Sequence, residues 1–458
     1  MTREAVDVVV IGAGAAGMAA ATTMAGLGLQ VVLLDEQGSP GGQIYRGISL
    51  APLSRRDMLG PDYAHGNQLV QALAASSVRY EKGASVWQVT REHQVSYLRE
   101  GRLHTLDAKA VLLATGAMER PFPITGWTLP GVMTAGAAQI LLKSAGLAPS
   151  EPVVLAGCGP LLYLLGWQYL RAGVQIKALV DTTRPEDYWC ARRHLFAALR
   201  AWPYLRKGLE LMRSLRSAGI AHYSGAEHLA IEGEEAARAL TFSVSGKAER
   251  IAARCVLLHQ GVVPNIQFSQ SLRARHEWDL EQLCFRPVTD AWGELDVPGV
   301  YVAGDGAGIG GAQAAAVQGQ LAALGIATRL NRINASCRDQ QGGPLRAQLE
   351  ANLRIRPFLD ALYQPKEANR IPADEVMVCR CEEVTAGELR SFVALGCEGP
   401  NQAKSFGRCG MGPCQGRMCG LTVTEVIAKA RGVSAQEVGY YRIRSPIKPI
   451  TLGELAGD

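Results

Sequence analysis

The sequence predicts an α/β chain with two strand–turn–helix nucleotide-binding units and a third, small helical unit built on cysteines. Three observations point there: a glycine turn at Gly12, Gly14 and Gly17 between an apolar strand and a small-residue helix, a second turn at Gly157 and Gly159, and six of the eleven cysteines lying between Cys379 and Cys419. At 458 residues the chain is longer than one hydrophobic core normally supports, so about three units are expected.

The stretch Asp7–Gly17 reads as a buried strand running straight into a turn and a helix. Gly12 permits the tight turn, Gly14 lets backbone N–H groups approach a pyrophosphate, and Gly17 lets the helix lie close on the strand. The helix is expected over Met18 to Leu27. A second apolar strand, Gln30 to Leu34, ends on Asp35, eighteen residues after Gly17. A carboxylate there is placed to accept ribose hydroxyls, which makes the stretch a dinucleotide fingerprint rather than a bare glycine turn.

Composition narrows the classes. The net charge of +5 is modest for this length and is not a nucleic-acid signature. No run of 18 apolar residues exists, so no transmembrane segment is expected. Residues 8–21 imitate a signal-peptide core, but Arg3, Glu4 and Asp7 precede them and the motif glycines interrupt them, so a cytoplasmic location is expected. In that compartment, six cysteines within 41 residues point to a metal centre rather than to disulfides.

After Asp35 comes Gly-Ser-Pro-Gly-Gly-Gln-Ile-Tyr-Arg, residues 38–46, whose paired glycines let backbone lie against a bulky ligand. Val-Leu-Leu-Ala-Thr-Gly-Ala (111–117) and Gly-Val-Tyr-Val-Ala-Gly-Asp-Gly (299–306) follow as two further strand-and-turn signals. With these, the chain resembles the two-dinucleotide-binding-domain flavoproteins, the glutathione-reductase-like double Rossmann group. The resemblance implies a discontinuous FAD domain, 1–118 and 265–335, with an NAD-binding-like domain inserted at 119–264. It implies FAD contacts from Gly12, Gly14, Ala16, Gly17, Asp35, Glu36, Gly42, Gln43, Arg46, Val86, Thr115, Gly116, Gly304, Asp305 and Ala312. In that group the aspartate, here Asp305, holds the ribityl and phosphate region, and the helix over 312–331 points its N-terminus at the flavin ring.

The inserted domain opens on Val-Val-Leu-Ala-Gly-Cys-Gly-Pro-Leu-Leu (153–162), a helix to Ala172 and a strand from Gln175 that ends on Asp181. The third glycine position is Leu162 and Pro160 stands in the turn, so the fold is legible but the ligand is not. NAD, another adenine nucleotide and an empty scaffold all remain open for Gly157, Gly159 and Asp181; Asp181 would favour NAD over NADP. The segment 192–216 carries seven arginines and lysines and His194 against the single acid Glu210. It is either a solvated helical face or a docking surface for an acidic partner or a phosphate. His259, at a strand end, is more often structural than functional in such a place.

A polar stretch around Gln340–Pro344 marks a boundary, with 336–370 as linker. The third unit, 371–435, holds Cys379-Arg-Cys381 and, after 32 intervening residues, Cys414-Gln-Gly-Arg-Met-Cys419. Thiolate pairs suit either zinc or an iron–sulfur cluster. Structural zinc sites usually use two-residue-gapped knuckles, whereas this spacing, with a helix over Thr385–Leu395, resembles the bacterioferritin-associated-ferredoxin type of 2Fe-2S domain. The resemblance implies Cys379, Cys381, Cys414 and Cys419 as ligands. In similar domains of anaerobic glycerol-phosphate dehydrogenases the position of Cys409 is commonly alanine, which leaves Cys409 as a neighbour or as a substitute for Cys419. Cys158, Cys190, Cys255, Cys284, Cys337 and Cys397 read as small hydrophobes.

Absences sharpen the reading. Residues 36–60 contain no cysteine and the inserted domain has no Cys-x-x-Cys, which excludes a dithiol mechanism. The motif Pro-Gly-Gly-Gln-Ile-Tyr-Arg, the degenerate inserted unit, Arg-Cys-Gly-Met-Gly-Pro-Cys-Gln-Gly-Arg-Met-Cys and the tail Pro-Ile-Lys-Pro-Ile-Thr-Leu-Gly-Glu-Leu-Ala resemble one group over nearly the whole chain. These are the alpha (A) subunits of heteromeric opine oxidases or dehydrogenases, D-hydroxyproline dehydrogenases and hydrogen cyanide synthase, relatives of part of the sarcosine oxidase alpha subunit. The resemblance implies electron transfer from a beta subunit that binds its own FAD and oxidises a C–N bond, with an FMN at the subunit interface in several members and a small third subunit in some. Location would then be peripheral to a membrane where the acceptor is membrane-bound. Residues 436–458 read as an extended arm that gains order only against a partner. Two rivals remain: a self-sufficient NAD(P)H-dependent FAD/2Fe-2S reductase, and a cysteine unit that serves as a partner-docking module.

Overall fold

A computed structural model describes residues 3–456; the outer ends of the expected FAD domain and arm, 1–2 and 457–458, lie outside the described residues. The first strand, β1 (Arg3–Ile11), is followed by helix α1 (Ala15–Gly26) and β2 (Val31–Asp35); then come β3 (Arg79–Lys82), β4 (Ser85–Val89), β5 (Gln94–Arg99) and β6 (Arg102–Leu113). The sheet order is β3-β2-β1-β6-β5-β4. β1 pairs in parallel with β2 and β6, whereas β4, β5 and the first half of β6 form an antiparallel meander. The strand Val300–Val302 returns from far along the chain to lie parallel to the end of β6. A strand from far along the chain therefore completes the first sheet.

Packing of α1 explains its small residues. A Cβ on Gly17 would sit 1.8 Å from the Gly12 carbonyl oxygen, and one on Gly12 would sit 2.4 Å from that of Ala114. On its other side α1 meets the helix Ala312–Arg329 backbone to backbone, because a Cβ on Gly319 would lie 2.2 Å from the Ala16 oxygen. Bulkier residues at these three glycines would push the sheet and both helices apart.

The inserted domain is a five-stranded parallel sheet in the order Ala221–Ser224, Ile176–Asp181, Val153–Cys158, Cys255–Gln260, Val132–Thr134. The basic segment forms the short 3-10 turn Arg192–His194 and the helices Leu195–Arg200 and Trp202–Ser217 and exposes Phe196 and Trp202, while the preceding helix Pro185–Ala191 exposes Trp189. Arg192 lies 3.1 Å over the Trp189 ring, and Lys207 pairs with Asp62 on the helix Pro61–Ala74.

Two expectations need correction. The stretch 336–370 is not a loop-rich linker: Ala335–Leu353 is one helix, capped by the Asn334 side chain, with Gly342, Gly343 and Pro344 inside it. Gly342 is demanded by packing, since a Cβ there would meet the Trp292 ring at 2.7 Å, and Arg338 and Arg346 cover that ring at 4.4 and 4.2 Å. Nor does the arm wait for a partner. Tyr441, Ile443 and Ile447 are buried in the chain's own core, and Ile447 donates its N–H to the Trp87 oxygen at 3.0 Å. Glycines of the cysteine motif make room for it: a Cβ on Gly410 or Gly416 would strike the Tyr441 ring, and one on Gly420 the Tyr440 ring.

Candidate functional site: a dinucleotide cavity beside a cysteine cluster

A cavity of about 1060 Å³ runs along the carboxyl ends of β1, β2 and β6, where open α/β sheets hold ligands. It exceeds the usual ligand pocket of about 300–1,000 Å³, which suits an elongated dinucleotide. Of the fifteen expected FAD positions, all but Gly17 line it, and Gly17 serves helix packing instead. Gly14 begins α1, and a Cβ there would touch nothing closer than Gly42 Cα at 3.9 Å; at Gly116 and Gly311 it would meet nothing within 4 Å. These three glycines are bare toward the cavity, not toward the protein. The buried Arg46 Nε has no hydrogen-bond partner among the described residues and lies in the same wall. An open cradle at a helix N-terminus with an unsatisfied guanidinium fits the pyrophosphate of FAD.

The acids around it have distinct duties. Both Asp35 oxygens accept backbone N–H groups, from Ala13 at 2.6 Å and Gln37 at 2.7 Å, and burial raises its carboxyl above the ordinary value. Asp35 therefore clamps the glycine turn, and Glu36 beside it is the half-exposed acid at the rim. Asp305 Oδ1 accepts from Gly310 and Gly311, both at 2.9 Å, and so fixes the turn that starts the helix Ala312–Arg329. That helix N-terminus has no side-chain cap, leaving its positive end for a ligand.

Sequence reading missed two polar groups in the wall, Lys143 and Glu119, and favoured a structural role for a third, His259. Lys143 is only 3% exposed and donates to Gln139 Oε1 at 2.7 Å and to the Gln43 oxygen at 3.3 Å; burial pushes its ammonium down to about 7. Between that value and the ordinary one near 10.5, the unfolded chain holds a proton that the folded chain sheds, so stability rises with pH across this window. Thermal denaturation from pH 7 to pH 10 is expected to show wild type gaining on Lys143→Met. Glu119 and His259 form the second feature: His259 Nδ1 lies 2.6 Å from Glu119 Oε1, while Gly136 N–H donates to the other carboxylate oxygen at 2.8 Å. The lone histidine thus has a buried acid partner in the cavity wall. Its pattern, one residue at a strand end and one far upstream, left no periodic signal.

The inserted turn looks different. Gly159 lines the cavity, but Gly157 does not, and a Cβ on Gly157 would overlap the His259 carbonyl oxygen at 1.6 Å. Asp181, expected to face a ribose, is 1% exposed, accepts from the Tyr163 hydroxyl and from Thr183 N–H at 2.8 Å, and is raised by burial. It is sealed inside the domain, because Tyr163 of the preceding helix Pro160–Arg171 covers it.

All five motif cysteines converge. Donor atoms of Cys379, Cys409 and Cys419 lie within 4.8 Å of one another, all buried. Hydrogen bonds from Cys409 and Cys419 hold the Cys379 thiol far below its ordinary value; Cys414 is lowered to about 5, chiefly by Cys419, and also meets Cys381. The expected four are thus in one place, but Cys409 sits inside the group and Cys381 at its exposed edge. Tyr441 donates to the Cys409 oxygen at 3.0 Å and contacts its sulfur at 3.4 Å. A buried, thiolate-rich set of this kind fits a soft metal or an iron–sulfur cluster. No cysteine lines the cavity among the described residues.

The model of the pyridine nucleotide-disulphide oxidoreductases matches residues 6–319, and that of the sarcosine oxidase A3 domain matches 374–458. The opine oxidase A subunit from Rhizobium meliloti is 46% identical over 99% of this chain and 88% of its own length. Hydrogen cyanide synthase subunit HcnB of Pseudomonas protegens is 31% identical over 96% of each. The crystal structure of L-proline dehydrogenase from P. horikoshii shares the fold, with a TM-score of 0.71 at 21% identity over 99% of this chain and 80% of that one.

Proposed function

We propose a function on one premise: this chain belongs to the pyridine nucleotide-disulphide oxidoreductase family and, within it, groups with the opine oxidase A subunits. It is the electron-transfer alpha subunit of a heteromeric flavoenzyme that oxidises the C–N bond of an amino acid or opine. Substrate is oxidised on a beta subunit carrying its own FAD, and electrons leave this chain through a 2Fe-2S cluster. The observation that carries the reading is shared burial: Cys379, Cys409 and Cys419 belong to the same hydrophobic core as Val86 and Phe268 of the dinucleotide cavity. When bound, FAD supplies two-electron exchange and the cluster one-electron exchange.

The chain's own residues set up that chemistry. Gly12, Gly14 and Asp35 shape the phosphate turn, Asp305 aims a helix N-terminus into the cavity, and the thiolates of Cys379 and Cys414 offer charge to a metal. Burial of Asp181 argues against the rival in which NAD(P)H reduces this chain directly, since the ribose acid is sealed. The test is an anaerobic absorbance titration of the purified chain with NADH and then NADPH. No flavin bleaching is expected from either, with full reduction by dithionite; rapid bleaching by a nicotinamide nucleotide overturns the proposed role.

A further inference from the structure

We infer that Lys448 of the C-terminal arm and Arg417 of the cysteine loop complete the FAD site at its adenosine end, so that cofactor retention depends on the cysteine module. The inference rests on FAD occupying the cavity described above. Two segments that no glycine motif announces reach that cavity. Arg417, between Cys414 and Cys419, lines it, and so do Ile447 and Lys448. They stand on the side of Glu36, Ala84 and Val86, the end of β2 and the start of β4, where the family fold places the adenosine half.

The arm is anchored at both ends. Upstream, Tyr441 sits on Gly410 and Gly416 and donates to the Cys409 oxygen, and Arg442 N–H donates to Asn401 Oδ1 at 2.7 Å. Downstream, Ile447 is buried beside β4, and Lys448 pairs with Glu36 across the rim. The side chain of Lys448 is 21% exposed against 50% for Glu36, so the pair closes over the cavity instead of lying free on the surface. Two cations at the mouth of a site built for a pyrophosphate also supply charge of the right sign. Because only six residues lie between Tyr441 and Lys448, a disturbed cysteine site loosens the strap, and by linkage a bound dinucleotide steadies the cysteine module.

The test is FAD release from the full-length holoprotein after dilution, followed by recovery of flavin fluorescence, with iron content and far-UV circular dichroism as checks on folding. Lys448→Glu places like charge against Glu36 and is expected to speed release about tenfold, Arg417→Gln severalfold, and Lys448→Arg not at all. Release from both Lys448→Glu and Arg417→Gln within twofold of wild type overturns the inference. A wild-type chain that binds no FAD instead defeats the functional reading on which it rests.

Discussion

Gly14→Val is expected to give a folded protein that has lost its flavin. The new side chain would project into the open cradle at the start of α1, where, its chain neighbours apart, its Cβ meets among the described residues nothing closer than Gly42 Cα at 3.9 Å. The fold has no reason to object. A pyrophosphate, by contrast, would be held off the backbone N–H groups of the turn, and charge-assisted bonds of about 1.5–3 kcal/mol each would be lost. Losing two of them weakens FAD binding by roughly 100-fold or more. Isothermal titration of the apoprotein with FAD measures this, and the melting temperature of the apo variant is expected to match apo wild type. Gly17→Val makes the contrast. Its Cβ would fall 1.8 Å from the Gly12 oxygen, inside backbone that cannot move without separating α1 from β1, so a destabilisation of about 3 kcal/mol or more is expected.

Cys379→Ser is expected to empty the metal site. Its thiol is the one onto which Cys409 and Cys419 converge, and it is buried at the end of a short strand, Met377–Cys379. A serine there offers a poorer donor to a soft metal and leaves the neighbouring thiols without their acceptor. Iron measured on the purified variant should fall to near background. Stability should drop by more than the roughly 0.5–3 kcal/mol of an ordinary buried substitution, because metal affinity is part of the folding energy of such a module. Cys190→Ser, at an exposed position far along the chain from the cluster motif, should leave both quantities unchanged.

The ends of the sheet strands were easily legible, and the reasons differ from element to element. Gly12 and Gly17 are forced by backbone contacts, whereas Gly14 stands bare in the cavity wall, so a glycine triplet after an apolar strand encodes a turn, close packing and an open cradle together. Asp35 was legible as an acid at a strand end, but its turn toward Ala13 and Gln37 was not, since the same residue type serves a ribose or a backbone clamp. Asp181 shows the same ambiguity resolved by Tyr163, a residue on the preceding helix Pro160–Arg171 whose reach no spacing rule predicts. The helix over Ala335–Leu353 was hidden by Gly342, Gly343 and Pro344, which signal a break when local preference is read without Trp292 to pack against. The arm lacked period because it lies extended, with Tyr441, Ile443 and Ile447 inward. The signal that could have found it was in the cysteine motif, where Gly410, Gly416 and Gly420 leave seats for two tyrosines.

A chain that holds FAD and a cysteine-bound 2Fe-2S cluster within one core has a defined electron capacity. Its most direct test is an anaerobic dithionite titration of the purified holoprotein, read together by absorbance and low-temperature electron paramagnetic resonance. Uptake of three electron equivalents is expected, two by the flavin and one by the cluster, with a cluster resonance that is lost in Cys379→Ser while the flavin remains. Uptake of only two equivalents, with no cluster resonance and zinc in place of iron, would contradict it.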